Sequence, residues 1–341
     1  MSSNQNMFYP RISIIMPSYN QDLYIQDAIE SVIVQNYPNL EFILIDGGST
    51  DSTVDIIKRY EKYLSYWVSE PDQGHGHALN KGFSKSTGEI MAWLNSDDKY
   101  VPGAFTNVAE IFLQFPDVNW ITGKTGVWDK QGNLYKEYYK YKNIYDYILS
   151  DYGWIQQESV FWRRGLWDKA GGFINENYKF MVDGELWTRF FLIDELWHVN
   201  ARLSGYRMHD TNRATLYRDE VLREMEKAIA AMKEKVYVDQ ITTSKQIQSF
   251  SPYLDETKLI NYKIIDKIND QWRKKSINYF LVKQYEEIIR RSEQNEGLQI
   301  QNEELGEELQ SVYSSKSWRL TALLRAFLRL VRKGIKPRKI K

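Results

Sequence analysis

Two adjacent carboxylates, Asp97 and Asp98, follow a short apolar run at residues 90–94 that is typical of a buried strand. Carboxylates this close repel each other, and a bound divalent cation relieves that repulsion. Hard oxygen ligands favour Mg²⁺ or Mn²⁺ over zinc. Aspartates are also common in turns and helix caps, and that is the structural alternative for this pair. The pair therefore indicates a metal site, with a local structural role as the other interpretation.

The elements that must position this pair alternate along the first hundred residues. Apolar, β-rich runs predict four strands, at residues 12–16, 41–45, 66–68 and 90–94. The segments between them predict three helices, at residues 22–35, 49–63 and 75–84. Strands that alternate with helices are typical of an α/β fold with a mostly parallel central sheet. We therefore expect the α/β class.

Polar residues follow each predicted strand. They are Ser18-Tyr19-Asn20, Asp46, residues 70–74 and residues 95–98. Ligands of parallel α/β sheets bind beyond the carboxyl ends of the strands, and these ends share one edge. We therefore expect the four polar clusters to converge on a single site.

Two further residues have both a binding and a structural interpretation. Asp46 could bond a ribose hydroxyl or a base edge, or it could cap the helix at 49–63, although Ser49 and Asp51 are better placed for that. Lys81, at the end of a short predicted helix, could reach a diphosphate or be an ordinary surface lysine.

Length and composition limit the class of protein. The chain has 341 residues, of which 43% are apolar, enough for one large domain with appendages or for two domains. It contains no cysteine, which excludes disulfides, thiolate catalysis and cysteine-ligated zinc and suits a reducing cytosol. The polar start of the chain lacks the layout of a signal peptide, and no apolar stretch reaches the length of a membrane span. We therefore expect a cytoplasmic protein.

The zero net charge hides a basic C-terminal segment. Residues 316–341 hold ten Lys and Arg and no acid, which leaves 35 basic and 45 acidic residues in the rest of the chain. Leu, Phe and Trp recur at helical spacing over 317–335, so the segment predicts a basic amphipathic helix that binds an anionic membrane surface. Nucleic-acid binding and packing between copies of the chain are the alternatives, and the regular apolar stripe disfavours nucleic acid.

The middle of the chain has a different organisation. Residues 116–215 hold seven of the eleven tryptophans, most of which we expect in the core, at positions 120, 128, 154, 162, 167, 187 and 197. Residues 216–280 predict a helical extension, and heptad spacing of Leu298, Leu305 and Val312 predicts a short coiled coil over 281–315 that could join copies of the chain. The predicted main domain is therefore 1–215, with halves at about 10–115 and 116–215.

Taken together, the motifs of residues 10–215 resemble glycosyltransferase family 2, the inverting enzymes of GT-A type, in the form found in bacterial cell-surface polysaccharide synthesis. The matching segments are ISIIMPSYN (12–20), SVIVQNYP (31–38), DGGSTD (46–51), SEPDQG (69–74), NKG (80–82) and GEIMAWLNSDD (88–98). The resemblance implies a nucleotide-sugar-binding αβα sandwich with an acceptor half.

The resemblance also assigns roles to residues. It places the nucleotide sugar against Pro17, Tyr19, Asn20, Asp46, Asp72, Lys81, Asn95 and Asp97. It assigns the metal to Asp97 and Asp98, with Asn95 where the family usually has an acid, and to His209. The catalytic base maps to Asp183 in the segment MVDGELW (181–187), and Arg213 is a further phosphate candidate.

The function implied is transfer of one sugar from a nucleotide-diphosphate donor to a glycan acceptor, expected to be lipid-linked, at the inner face of the cell membrane. Mn²⁺ or Mg²⁺ would stabilise the leaving group while Asp183 takes the acceptor's proton. The Gln-x-x-Arg-Trp signature of processive relatives is absent, which disfavours polymerisation. A nucleotidyltransferase and a non-catalytic assembly subunit are the alternatives; a missing phosphate loop disfavours the first, and the retained Asp46, Asp97, Asp98 and Asp183 disfavour the second.

Overall fold

The computed structural model describes residues 9–138, 142, 144, 147 and 155–246, and its first half contains a parallel sheet. The strands lie in the order β3-β2-β1-β4, with β1 at Ile12–Ser18, β2 at Leu40–Asp46, β3 at Tyr66–Ser69 and β4 at Ile90–Trp93. β1 and β4 are buried at every position, which explains their continuous apolar sequences. The pairing sets Asp46 beside Ser18 and Ser69, so the polar residues at the strand ends share one edge.

Three helices connect these strands: α1 (Ile25–Ile33), α2 (Thr53–Tyr60) and α3 (His75–Lys85). α1 ends short of its predicted limit because Asn36 has a φ of +46°, outside the helical range. Successive strands first move outward from β1 to β3, and then β4 returns to the other side of β1. Right-handed crossovers therefore place α1 and α2 on one face and α3 on the other. The gap between β1 and β4 is a topological switch point, where such sheets bind ligands.

The second half of the sheet mixes directions. β8 (Val160–Arg163) pairs antiparallel with β4, and β6 (Trp120–Trp128) joins β8 antiparallel and β9 (Trp197–Arg207) parallel. β5 (Lys99–Tyr100) pairs antiparallel with β9. β7 (Leu134–Tyr138) pairs antiparallel with β6. Because β8 runs against β4, it begins at the edge where β4 ends. The predicted α/β class is confirmed, with the purely parallel part confined to the first four strands.

Helices complete the described part of the chain: α4 (Ala104–Gln114), α5 (Arg164–Lys169), α6 (Val182–Phe191), α7 (Arg213–Leu216) and α8 (Arg218–Gln246). α8 occupies the start of the predicted extension at 216–280. The rest of that extension, the predicted coiled coil at 281–315 and the predicted basic helix at 316–341 lie outside the described residues. None of the described helices is long and apolar enough to cross a membrane.

An aromatic cluster forms the core between β4, β8 and α6. Trp93 of β4 stacks on Trp187 of α6 with ring centres 5.7 Å apart, and Trp162 of β8 lies edge-on to both. The prediction that most tryptophans of 116–215 are core is confirmed for six of them, because positions 120, 128, 162, 167, 187 and 197 are buried. Trp154 lies outside the described residues. The cluster ties the parallel half of the sheet to the helix that carries Asp183.

Candidate active site

A cleft of about 990 Å³ opens at the edge where the parallel strands end. One wall follows β1, β2, β3 and β4; the other comes from the turn before β8, the start of α6 and the segment after β9. Eight of the residues to which the sequence analysis gave a role line it: Pro17, Tyr19, Asp72, Asn95, Asp97, Asp98, Asp183 and Arg213. The strand ends and the distant Asp183 segment thus face one space.

Asp46 lies beneath the cleft rather than on its surface. It is fully buried, and its carboxylate accepts hydrogen bonds from the Gly48 and Ser49 backbone N–H groups and from the Ser49 and Ser69 hydroxyls. These bonds hold the Gly47-Gly48 loop, which does line the cleft. A Cβ on Gly47 would lie 2.9 Å from Asp72 Oδ2, so the glycine allows Asp72 to pack against the loop.

The N-cap position of α2 is Ser52, whose side chain makes no capping bond, and Asp51, one of the two residues that the sequence favoured as the cap, bonds the start of the helix from one residue earlier. Asp51 Oδ1 accepts a hydrogen bond from the N–H of Thr53, the first residue of the helix, at 3.0 Å. Ser49 bonds Asp46 instead. The capping alternative for Asp46 therefore does not describe this structure.

Asp97 and His209 approach each other at the cleft. Asp97 Oδ2 lies 3.0 Å from His209 Nε2, and His209 Nδ1 lies 2.8 Å from the Thr211 hydroxyl. The imidazole packs on the Tyr24 ring with centres 4.7 Å apart. Ring packing and the bond to Thr211 fix the orientation of Nε2 toward Asp97. The imidazole nitrogen, from the segment after β9, thus meets the carboxylate oxygen of the loop after β4 directly. Asp97 lines the cleft, whereas the buried His209 does not.

Asp98 points in a different direction from Asp97. It is buried, its Oδ1 accepts the Arg207 backbone N–H at 2.8 Å, and its Oδ2 lies 3.3 Å from Asn95 Nδ2. Burial raises the pKa of Asp98 well above its usual range, and the negative charge of Asp97 raises it further. Burial also raises the pKa of Glu158, its hydrogen-bond partner, to about 7. The Asp98 carboxyl is therefore bound within the protein, with Arg207, Asn95 and Glu158 as its partners.

Arg207 holds the loop that carries the two aspartates. Its Nε donates to the Asp97 carbonyl at 2.8 Å and its Nη1 to the Lys130 carbonyl at 3.2 Å, while Nη2 pairs with Asp27 of α1. The guanidinium also lies over the Tyr24 ring. A single buried side chain thus joins α1, the loop after β4, the β6–β7 turn and the end of β9.

Asp183 stands in the first turn of α6, across the cleft from Asp97. Burial raises its pKa to about 6, and the Glu224 charge adds to the rise, whereas the N–H groups of Gly184 and Asp183 itself oppose it. Glu224, on α8, accepts hydrogen bonds from the backbone N–H groups of Lys179, Phe180 and Met181. The segment that leads into α6 is therefore held by a carboxylate from α8, and it presents a carboxyl suited to accepting a proton near neutral pH.

Two of the predicted binding residues are directed elsewhere. The Asn20 side chain accepts the Thr50 N–H at 2.8 Å, and Lys81 pairs with Glu70. Neither residue lines the cleft. Within the described part of the chain there is also no group of three or more His, Asp and Glu side chains arranged to hold a metal by themselves.

Several cleft residues had no role in the predictions. His75 Nε2 lies 3.2 Å from Asn95 Oδ1, and burial lowers the pKa of His75 to about 4, which keeps the ring neutral. Gln157, Glu158, Lys179 and Phe180 also line the cleft. The pair Gln157-Glu158 follows no recognisable strand end in the sequence, so its only signal was its polarity within an otherwise aromatic region.

The family model for glycosyl transferase family 2 matches residues 13–197, more than half of the chain. The chain therefore belongs to glycosyltransferase family 2. Similar curated proteins include an uncharacterized glycosyltransferase of Rickettsia typhi, 36% identical over 133 residues, and the putative teichuronic acid biosynthesis glycosyltransferase TuaG of Bacillus subtilis, 40% identical over 108 residues. These matches cover 38% and 31% of this chain and 42% and 43% of the relatives, so the chain spans less than half of the length of the curated relatives.

The fold is that of GT-A glycosyltransferases. Residues 1–349 of S. aureus TarS, crystallised in complex with UDP-GlcNAc, superpose with a TM-score of 0.54 over 80% of each chain, at 16% sequence identity. The resemblance stated from the motifs and the fold predicted from it are both confirmed.

Proposed function

We propose that this chain is an inverting glycosyltransferase that moves one sugar from a nucleotide-diphosphate donor to a hydroxyl of a glycan acceptor. One observation carries the proposal: Asp97, in contact with His209, and the proton-accepting Asp183 line the same cleft from opposite walls. Inversion needs a group that holds the leaving diphosphate on one side of the anomeric carbon and a base on the other.

Asp97 and His209 fit a divalent cation. A carboxylate and an imidazole are ligands for Mn²⁺, and metals of nucleotide sites commonly take their remaining ligands from substrate phosphates and water. Such a cation would neutralise the charge that develops on the leaving diphosphate. Asp98 fits less well, because Arg207, Asn95 and Glu158 already occupy its carboxyl. We therefore assign the metal to Asp97 and His209 and a positioning role to Asp98.

Asp183 acts as the base in this proposal. Its carboxylate takes the proton of the acceptor hydroxyl as the oxygen forms its bond to the anomeric carbon and the bond to the diphosphate breaks. A pKa raised to about 6 leaves it ionised at pH 7 and more basic than an ordinary aspartate. Burial within the cleft also limits competition from water.

The donor's nucleotide is proposed to lie against Pro17, Tyr19, Asp72 and the Gly47-Gly48 loop, with Asp46 supporting that loop from beneath. TarS, which shares the fold, binds UDP-GlcNAc, and this supports a donor of the same class. The name of TuaG supports a role in cell-surface polysaccharide synthesis. A lipid-linked acceptor at the inner face of the membrane remains part of the proposal and depends on the basic segment at 316–341.

The proposal is tested by incubating the full chain with Mn²⁺, UDP- and GDP-sugars and glycan acceptors and following release of nucleoside diphosphate. We expect release by the wild type, its loss with a chelator, recovery with added Mn²⁺, and a fall of about 10²–10⁴-fold in the rate for Asp183→Asn with donor binding retained. Equal rates for wild type and Asp183→Asn would contradict the base assignment. Release of pyrophosphate from a nucleoside triphosphate and a sugar 1-phosphate, with no nucleoside diphosphate released from the nucleotide sugars, would indicate a nucleotidyltransferase.

A further inference from the structure

Two buried oxygens in the cleft wall have no hydrogen-bond donor among the described residues: Gln157 Oε1 and Glu158 Oε2. Both residues line the cleft although they are only 4% and 6% exposed. A buried acceptor left without a partner destabilises the protein, so such groups usually have a ligand or a water as partner. The two oxygens therefore indicate that something which donates hydrogen bonds occupies this part of the cleft.

Hydrogen bonds to neighbouring strands fix the turn that carries these oxygens. Gln156 exchanges two hydrogen bonds with the backbone of Gly126, at 2.8 and 3.1 Å, and the Ser159 and Ser204 hydroxyls lie 2.9 Å apart. Gln157 Nε2 donates to the Trp93 carbonyl at 2.6 Å. That bond sets the orientation of the Gln157 amide, because the carbonyl can pair only with the NH₂ group. The Oε1 atom is therefore held in place rather than free to find another partner.

The position of the turn points to the sugar rather than the nucleotide. The turn at Gln157–Ser159 leads into β8, which lies beside β4 and on the far side of it from β1 and β2. Glu158 hydrogen-bonds Asp98, next to Asp97, and its pKa is raised in part by the charge of Asp183. The two oxygens are thus close to the residues assigned to the leaving diphosphate and to the base, where the transferred sugar must sit.

The chemistry of the lining fits sugar hydroxyls. Both oxygens are acceptors, and the neighbouring Trp93 indole N–H is a buried donor that is also unpartnered within the described residues. A hydroxyl group donates one hydrogen bond and accepts others, so hydroxyls can satisfy both kinds of atom. A phosphate would not, because an ionised phosphate offers only acceptors.

We propose that Gln157, with Glu158 beside it, is a specificity-determining residue that accepts hydrogen bonds from hydroxyls of the transferred sugar. The inference rests on the proposed function, since it concerns the donor of that same reaction. A site built to accept from a hydroxyl discriminates strongly against a sugar that lacks it, because its buried acceptor is then left unpaired.

The test compares donor affinity with and without the sugar. The probes are UDP, UDP-GlcNAc, UDP-glucose, GDP and GDP-mannose, titrated calorimetrically into the full chain with Mn²⁺. The quantity of interest is the sugar increment. We define it as the Kd of the nucleoside diphosphate divided by the Kd of the corresponding nucleotide sugar. We expect Gln157→Met to reduce the increment about tenfold, the effect of one lost hydrogen bond, while affinity for the diphosphate alone is unchanged.

The matched control is Gln114→Met. Gln114 Oε1 is another buried acceptor that has no partner in the described part of the chain, but it belongs to α4 and does not line the cleft. We expect Gln114→Met to keep the wild-type increment. Gln157→Asn, which keeps the amide but withdraws it by one methylene, should give an intermediate loss and serves if Gln157→Met does not fold.

Deoxy donors test the wild type without any substitution. The wild type should bind one deoxy or deoxyfluoro analogue of its preferred donor more weakly than the parent nucleotide sugar. Gln157→Met should bind that analogue and the parent donor with equal affinity. An unchanged increment in Gln157→Met, or equal affinity for all deoxy donors, would overturn the inference alone. Absence of any nucleotide or nucleotide-sugar binding by the wild type would instead overturn the proposed function.

Discussion

At the scale of single residues, Asp97 and Asp98 show how neighbours in sequence take different roles. Adjacent residues after a strand point in different directions, so one carboxylate contacts His209 and the other faces Glu158 within the protein. Burial raises the pKa of the Asp98 carboxyl, and the charges of Asp97 and Glu158 raise it further. The pair therefore separates into one proposed metal ligand and one residue that fixes the loop.

The pH dependence of transfer should report Asp183. A base works only when ionised, so the rate should fall tenfold per pH unit below its pKa and level off above it. We expect the ascending limb of kcat/KM near pH 6, above the usual range for aspartate, because burial raises the pKa of Asp183 and the charge of Glu224 adds to the rise. Glu158 also faces this carboxyl. The measurement is the pH profile under constant Mn²⁺, and a limb near pH 4 would contradict the assignment.

At the scale of elements, the start of α6 depends on a residue from α8. Helices leave their first backbone N–H groups without partners, and here Met181, the residue before α6, has no side-chain cap of its own. Glu224 accepts the N–H groups of the three successive residues 179–181, which lead into the helix. Since Asp183 lies two residues beyond this segment, α8 positions the proposed base through the backbone.

Substitution of Glu224 should affect stability and catalysis together. Glu224→Ala leaves three N–H groups without their acceptor, so we expect a loss of about 1–3 kcal/mol in the free energy of unfolding and a lower kcat. Glu224→Gln keeps a neutral acceptor, so it should lose less stability than Glu224→Ala. The ascending limb of the pH profile should move to lower pH, because the charge of Glu224 that raises the pKa of Asp183 is gone.

The control for Glu224 is Glu226→Ala, an exposed acid on the same helix, which should change stability by less than about 0.5 kcal/mol. Urea unfolding and rates at saturating donor give both quantities. If Glu224→Ala and Glu226→Ala had the same free energy of unfolding and the same kcat, the positioning role of Glu224 would be wrong.

At the scale of the whole molecule, charge is distributed unevenly along the chain. The ten basic residues of 316–341 stand against a net charge of −10 in the remainder. Each basic residue near an anionic membrane contributes about 1 kcal/mol, and the apolar stripe adds burial in the interface. We propose that this segment, which lies outside the described residues, brings the enzyme to a lipid-linked acceptor.

Deletion of 316–341 should abolish sedimentation with vesicles that contain phosphatidylglycerol and leave nucleotide binding intact. Binding of the full chain should be weak on phosphatidylcholine alone and should decrease with salt. A variant with Leu324→Ser and Phe327→Ser keeps all ten basic residues and should bind anionic vesicles less tightly, because the apolar side is weakened. Undiminished vesicle binding by the deletion variant would exclude this membrane role for the segment.

Much of the fold and part of the site could be predicted from local sequence. Buried parallel strands need continuous apolar runs, and their ends need polar residues, so the positions of Asp46, Asp72 and Asp97 at one edge followed from strand order alone. The family motifs then located Asp183 and His209 and the GT-A fold, which is confirmed. Short segments of the sequence are therefore enough to predict these features.

Which atoms face the cleft was decided only by the tertiary structure. Asp46 lies beneath its loop, Lys81 pairs with Glu70, and Asp98 turns inward, because they meet Ser69, Glu70 and Arg207, which lie 23, 11 and 109 residues away. Gln157 and Glu158 reach the site because β8 runs antiparallel beside β4 and begins where β4 ends. Strand direction and side-chain partners depend on contacts between segments 60–180 residues apart, such as those of Gln157 with Trp93 and Arg207 with Asp27, and no local pattern records them.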